Sequence, residues 1–147
     1  MSATSRQSAL LQTRTGGPTL MLVVLGDLGA LILFGVIGLY SHERSITPPG
    51  LARAVLPFVA AWFTLGWVLG AFRPANAPAW KAHLGQVLTI WAACGVVALV
   101  GRSIVFSRPL LSAFSVIALL GNGLLLIWWR TLLRALWARS NRSVPDR

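Results

Sequence analysis

Acidic residues are almost missing from this chain, which has three Asp and Glu against 13 Lys and Arg in 147 residues. Asp27, Glu43 and Asp146 stand far apart in the sequence, so no paired-carboxylate motif exists for acid–base chemistry. Cysteine occurs once, as Cys94, which excludes an intrachain disulfide and a CxxC metal or redox site. Histidine occurs twice, His42 and His83, and neither lies in an HExxH arrangement. No metal site and no cofactor are therefore expected. A GxSxG turn and a phosphate loop are also missing, and Gly26-Asp27-Leu28-Gly29 lacks the spacing of a dinucleotide fingerprint. With no nucleophile, base and orienting group to assemble, the expectation is a protein that is not an enzyme, with no catalytic residues.

What the chain does have is apolar length. It is 56% hydrophobic and 11% charged, with a mean hydropathy of +0.72, values that belong to integral membrane proteins. The organising stretch is Thr19 to Tyr40, TLMLVVLGDLGALILFGVIGLY. About 20 apolar residues at ~1.5 Å each cross the ~30 Å hydrocarbon layer. Asp27 does not prevent this. A central Asp costs about 2.5–3.5 kcal/mol on the insertion scale, and each Leu, Ile, Val or Phe returns ~0.3–0.6 kcal/mol. Seven Leu, three Val, two Ile and one Phe outweigh it. The stretch is also too long for the apolar region of a cleaved signal peptide, and SHERS follows it where small residues would mark cleavage.

Three similar stretches follow. The expected architecture is an all-α integral membrane four-helix bundle, with spans near 19–40, 51–72, 84–106 and 109–130. The membrane domain runs over 19–138, between a disordered tail at 1–18 and a disordered basic tail at 139–147. Pro48-Pro49-Gly50 reads as a turn, and Arg73-Pro74 and Arg108-Pro109 punctuate the next links.

The net charge of +10 and seven Trp invite a nucleic-acid reading. The distribution argues against it, because basic residues gather at the ends of apolar stretches, where orientation signals and headgroup contacts belong. The expected partner is a bilayer with anionic headgroups, not nucleic acid. Gly66-x-x-x-Gly70 is a small-residue packing motif compatible with a homo-oligomer.

Helical spacing groups small and polar residues into stripes expected to face inward: Asp27 with Ala30 and Gly38; Thr64 with Pro57, Ala60, Ala61 and Ala71; Gln86 with Thr89 and Ala93; Ser115 with Ala118 and Asn122. Asp27 is the sharpest residue, since an ionisable group inside a span marks a functional site by default. Asn122 falls at a similar depth, so a hydrogen bond between the two is expected, and together they form the candidate ion or substrate site. His42, Glu43 and Arg102 are expected as polar residues at the outer interface, with Arg53 or Arg102 as partners for Glu43. Two functions follow. One is a structural or accessory membrane component; the other is a small transporter or ion or proton pathway using Asp27.

The segments GDLGALILFGVIGLYSHE, LPFVAAWFTLGW and GNGLLLIWWR carry a resemblance. Asp27, Ser41 and His42, Pro57, Trp62 and Trp67, and the closing Trp129-Arg130 resemble the small prokaryotic membrane proteins grouped as domain of unknown function 3054. The likeness covers roughly Leu20 to Arg130. It implies a four-span, multi-pass membrane protein and brings no activity with it.

The basic residues also set an orientation. Arg6, Arg14, Arg73, Lys81, Arg130, Arg134, Arg139, Arg142 and Arg147 fall on the side of the two termini, against Arg44, Arg53, Arg102 and Arg108 on the other. Nine against four places both termini in the cytoplasm and the protein in the cell membrane. Reporters active on one side only, fused after Arg14, Ser45, Asn76 and Arg147, should read inside, outside, inside and inside. An outside signal from either terminal fusion would overturn the assignment.

Overall fold

The computed structural model describes residues 19–43, 45–73, 80–107, 109, 110 and 112–142, without the side chains of 42, 43, 114 and 140–142. The two tails expected at 1–18 and 139–147 lie outside the described residues, except that 139–142 continue the last helix. Four helices make up the fold: α1 Leu20–Glu43, α2 Pro48–Val68, α3 Trp80–Phe106 and α4 Ala113–Arg142. No strand occurs among the described residues. Each helix is long and apolar enough to cross a bilayer. Among the described residues each helix packs on its neighbours in sequence, and α4 closes back on α1, while the backbones of the diagonal pairs stay apart. The result is a four-membered ring of helices around one core.

The helix ends differ from the expected ones for local reasons. Pro48 and Pro49 do not form a turn. They open α2, where their missing N–H groups would have had no helical partner. Thr47 is the N-cap, its hydroxyl accepting from the Gly50 N–H at 3.3 Å. Pro57 falls inside the helix, and α2 runs on through it. At the other end Gly70 adopts φ +86°, a left-handed conformation that suits glycine. The Ala71 N–H reaches back to Gly66 O at 2.8 Å and the Gly70 N–H to Trp67 O at 3.1 Å, the paired bonds of a Schellman stop. Gly66 and Gly70 therefore both take part in this helix terminus.

The core is aromatic and small at once. Phe58 and Trp62 of α2 meet Trp91 of α3, with Cys94, Ala98, Ala118 and Leu126 around them. Trp62 and Trp91 cross edge to face at 5.6 Å between centroids. The Trp91 indole N–H donates to Leu119 O at 2.8 Å, tying α3 to α4. On α1 Asp27 and Ala30 are buried while Gly38 is half-buried, and the α4 stripe faces inward, with Ser115, Ala118 and Asn122 all buried. The α3 stripe does not. Gln86, Thr89 and Ala93 are exposed, and Val87, Ile90, Trp91, Cys94 and Ala98 form the buried face instead. Ala61 on α2 and Ala71 just beyond its end are buried, while Thr64 and Ala60 are exposed. The threonines need no inward partner, because Thr64 and Thr89 donate to the carbonyls of Ala60 and Gly85 one turn back. Large aromatic rings then claim the interior by volume and packing.

Gly26 sets the approach of α1 to α4. A Cβ at this position would overlap the indole of Trp129, whereas one at Gly29 would meet nothing within 4 Å. Gly26→Ala should therefore destabilise the protein by about 1–3 kcal/mol, as overpacking does. Gly29→Ala should be neutral or slightly stabilising, through higher helix propensity. Thermal unfolding of the two variants in detergent makes the comparison.

Candidate functional site

Asp27 sits on the second turn of α1, about 10 Å from the first residue of that helix at ~1.5 Å per residue. Its exposure is 0%. Taking a carboxylate out of water costs several kcal/mol unless its oxygens are satisfied and its charge is matched. Both conditions are met here, by residues from two other helices. Arg130 of α4 donates through Nε to Oδ1 at 3.1 Å and pairs through Nη2 with Oδ2, a bidentate fork. Trp62 of α2 donates its indole N–H to Oδ2 at 3.0 Å.

Arg130 is equally enclosed, at 7% exposure. Its third contact is the Ala71 carbonyl, which accepts from Nη1 at 2.6 Å. The Schellman stop is what turns that carbonyl toward the bundle, at a helix C-terminus where partial negative charge favours a cation. Aromatic faces complete the lining. The guanidinium carbon lies 5.5 Å from the Trp62 ring centroid and 5.2 Å from that of Phe72. Phe72 in turn packs against Trp62 at 5.7 Å. Side chains of α1, α2 and α4 thus converge on one charge-neutral pair.

Asn122 is not part of this cluster. It is buried, but its amide nitrogen donates to Ala118 O at 2.9 Å on its own helix, and Oδ1 has no hydrogen-bond partner. Eight residues separate it from Arg130, about 12 Å along α4. The bond expected between Asp27 and Asn122 is not formed because Trp62 and Arg130 already hold both carboxylate oxygens. Arg130 likewise does not act as an end-of-span cation facing headgroups.

Of the expected interface residues, His42 and Glu43 close α1, and their side chains lie outside the described ones. Arg102 is partly buried on α3. Arg53 bonds to Pro49 O at 3.2 Å on its own helix. Among the described residues no group of three His, Cys, Asp or Glu could hold a metal ion.

Sequence reasoning missed Arg130, Trp62 and the Ala71 carbonyl as partners of Asp27. A signal for Arg130 was present. Leu132, Leu133, Leu136 and Trp137 continue the apolar pattern beyond it, which puts Arg130 inside the span and not at its edge. An acid within one span also calls for a cation in another. The Ala71 carbonyl had no such signal, because a backbone acceptor is visible only once the turn is built.

A four-span helical membrane bundle, closed across three of its helices by a buried acid–guanidinium pair, is the class that fold and site define. The chain belongs to the family described as protein of unknown function DUF3054, which it matches over residues 24–133. That range contains Asp27, Trp62, Ala71 and Arg130. No curated protein and no solved structure matches the chain.

The partner assignment has a direct test. Trp62→Phe keeps a ring in the core and removes the N–H to Asp27, for an expected loss of about 1–2 kcal/mol. Asn122→Leu removes a buried carbonyl oxygen with no partner and should cost less, or stabilise. A larger loss for Asn122→Leu than for Trp62→Phe in thermal unfolding would reverse the assignment.

Proposed function

We propose that this protein is a non-catalytic structural or accessory component of the cell membrane, with both termini cytoplasmic. The observation that carries the reading is the condition of Asp27: no exposure, and both oxygens held by Trp62 and Arg130. A carboxylate that passes protons or cations must exchange them with water, and it must be free of a fixed counter-charge for part of its cycle. Here the counter-charge is a neighbouring side chain in bidentate contact. Such a pair fixes register and partner choice among helices, the best-attested use of buried ion pairs. With Arg130 set aside as buried, the other basic residues still divide eight to four toward the side of the termini, which supports the orientation. The competing role, a small ion or proton pathway through Asp27, needs the pair to open.

Two measurements separate the roles. Asp27→Asn leaves Arg130 buried without its counter-charge and should cost about 3–5 kcal/mol, as breaking a buried pair does. The double variant Asp27→Leu, Arg130→Met removes both charges and should recover most of that loss. In vesicles carrying a pH-sensitive dye, the wild-type protein should pass no proton current under an imposed gradient. Flux that disappears in Asp27→Asn while the variant stays folded would replace the structural role with a pathway.

A further inference from the structure

Gln86, on α3, is exposed, and its side chain makes no hydrogen bond among the described residues. Thr89, the next polar residue on the same face, is satisfied by Gly85 O one turn back. The carboxamide of Gln86, with its donor and its acceptor, is the group left over. Its depth makes this costly. α3 and α4 run antiparallel, and Trp91 stands level with Leu119 and Gly123: its indole bonds Leu119 O, and a Cβ at Gly123 would touch its ring. About five residues back along α3 corresponds to about five residues onward along α4, a level that stops short of Arg130. Gln86 is therefore deeper in the span than Arg130, where an amide without a partner is strongly disfavoured.

The face around Gln86 is small. Ala82, Gln86, Thr89, Ala93, Val96 and Val100 follow one another at alternating steps of four and three, the seam spacing of paired helices, and all six are exposed. This row lies opposite the buried face of Val87, Trp91, Cys94 and Ala98. The neighbouring Gly85 lowers the surface further, and a Cβ there would meet nothing within 4 Å. α1 and α4 instead turn Leu25, Leu33, Leu120 and Leu124 outward, as a lipid-facing surface does. Small and polar residues mark contacts between helices in a membrane, yet no helix of the chain covers these.

We propose that two copies of this chain associate through the outward face of α3, the two Gln86 carboxamides exchanging hydrogen bonds across the seam. The occupant is a second copy because the group is its own complement, both donating and accepting. Copies inserted in one orientation are related by a two-fold axis along the membrane normal, which sets each residue near its equivalent at equal depth. The dimer is independent of the role of Asp27, which is buried inside the bundle.

Energy transfer measures the association. The full chain, carrying a donor or an acceptor fluorescent protein at its C-terminus, is reconstituted in phosphatidylcholine vesicles at high lipid dilution. Transfer between wild-type copies should exceed that of a random mixture. Gln86→Leu should weaken association about tenfold, the effect of losing two interhelical bonds, without lowering the unfolding temperature in detergent. Leu124→Ala, on the outward face of α4, should leave association unchanged. Cross-linking with copper phenanthroline checks the geometry independently. Ala93→Cys should join two copies by a disulfide and Leu124→Cys should not, against the low background of buried Cys94. Transfer no greater than random in the wild type would overturn the proposal. So would association that Gln86→Leu leaves intact, or cross-linking through Leu124→Cys but not through Ala93→Cys.

Discussion

A charge placed in hydrocarbon has to be answered by another charge, and this molecule is arranged around that constraint. Bilayer and packed protein both have a low dielectric, so an isolated carboxylate or guanidinium in the span costs several kcal/mol. Asp27 and Arg130 lie on different helices and each neutralises the other. The attraction alone does not satisfy every polar atom. Trp62 takes a further position on the carboxylate, and the Ala71 carbonyl takes one on the guanidinium. With these in place, α1, α2 and α4 share one polar junction. α3 joins the bundle by other means, through aromatic packing on α2 and the Trp91 bond to Leu119 O.

Two glycines make the junction reachable. Gly26 lets α4 come close enough to α1 for Trp129 to lie over the backbone one residue before Asp27. Gly70 takes the left-handed turn that ends α2 and directs the next carbonyl toward Arg130. Neither residue touches the ion pair. Each removes a steric obstacle to it, which is a use of glycine peculiar to close backbone approaches and helix stops.

The architecture was legible in the sequence because span length and hydropathy report directly on the bilayer. Four apolar stretches became four helices at the expected places, with ends displaced where Pro48, Pro49 and Gly70 exerted local chemistry. The facing of the helices was less legible. In water, polar residues mark the outside; in lipid, small and polar residues suggest the inside. The rule succeeded for Asp27, Ser115 and Asn122 and failed for Gln86 and Thr89, where the bulk of Trp91 determined which side of α3 is buried. For the site, the sequence points to Asp27, and the structure pairs it with Trp62 and Arg130 where Asn122 was expected. Depth alone selected Asn122. Charge complementarity selects Arg130, which had been assigned to the membrane surface because basic residues usually sit there.

The separation of the partners along the chain sets a schedule. Trp62 follows Asp27 by 35 residues, but Arg130 follows it by 103. At about 5–20 residues per second, α1 waits roughly 5–20 s for its counter-charge during synthesis. Over most of that interval the indole of α2 is the available donor, and a neutral hydrogen bond is all that shields the carboxyl group from lipid. The last helix to be made therefore completes the electrostatics of the first. A chain that stops before α4 leaves Asp27 without its ion-pair partner, a lesion that membrane quality control can detect with no need to read the missing sequence.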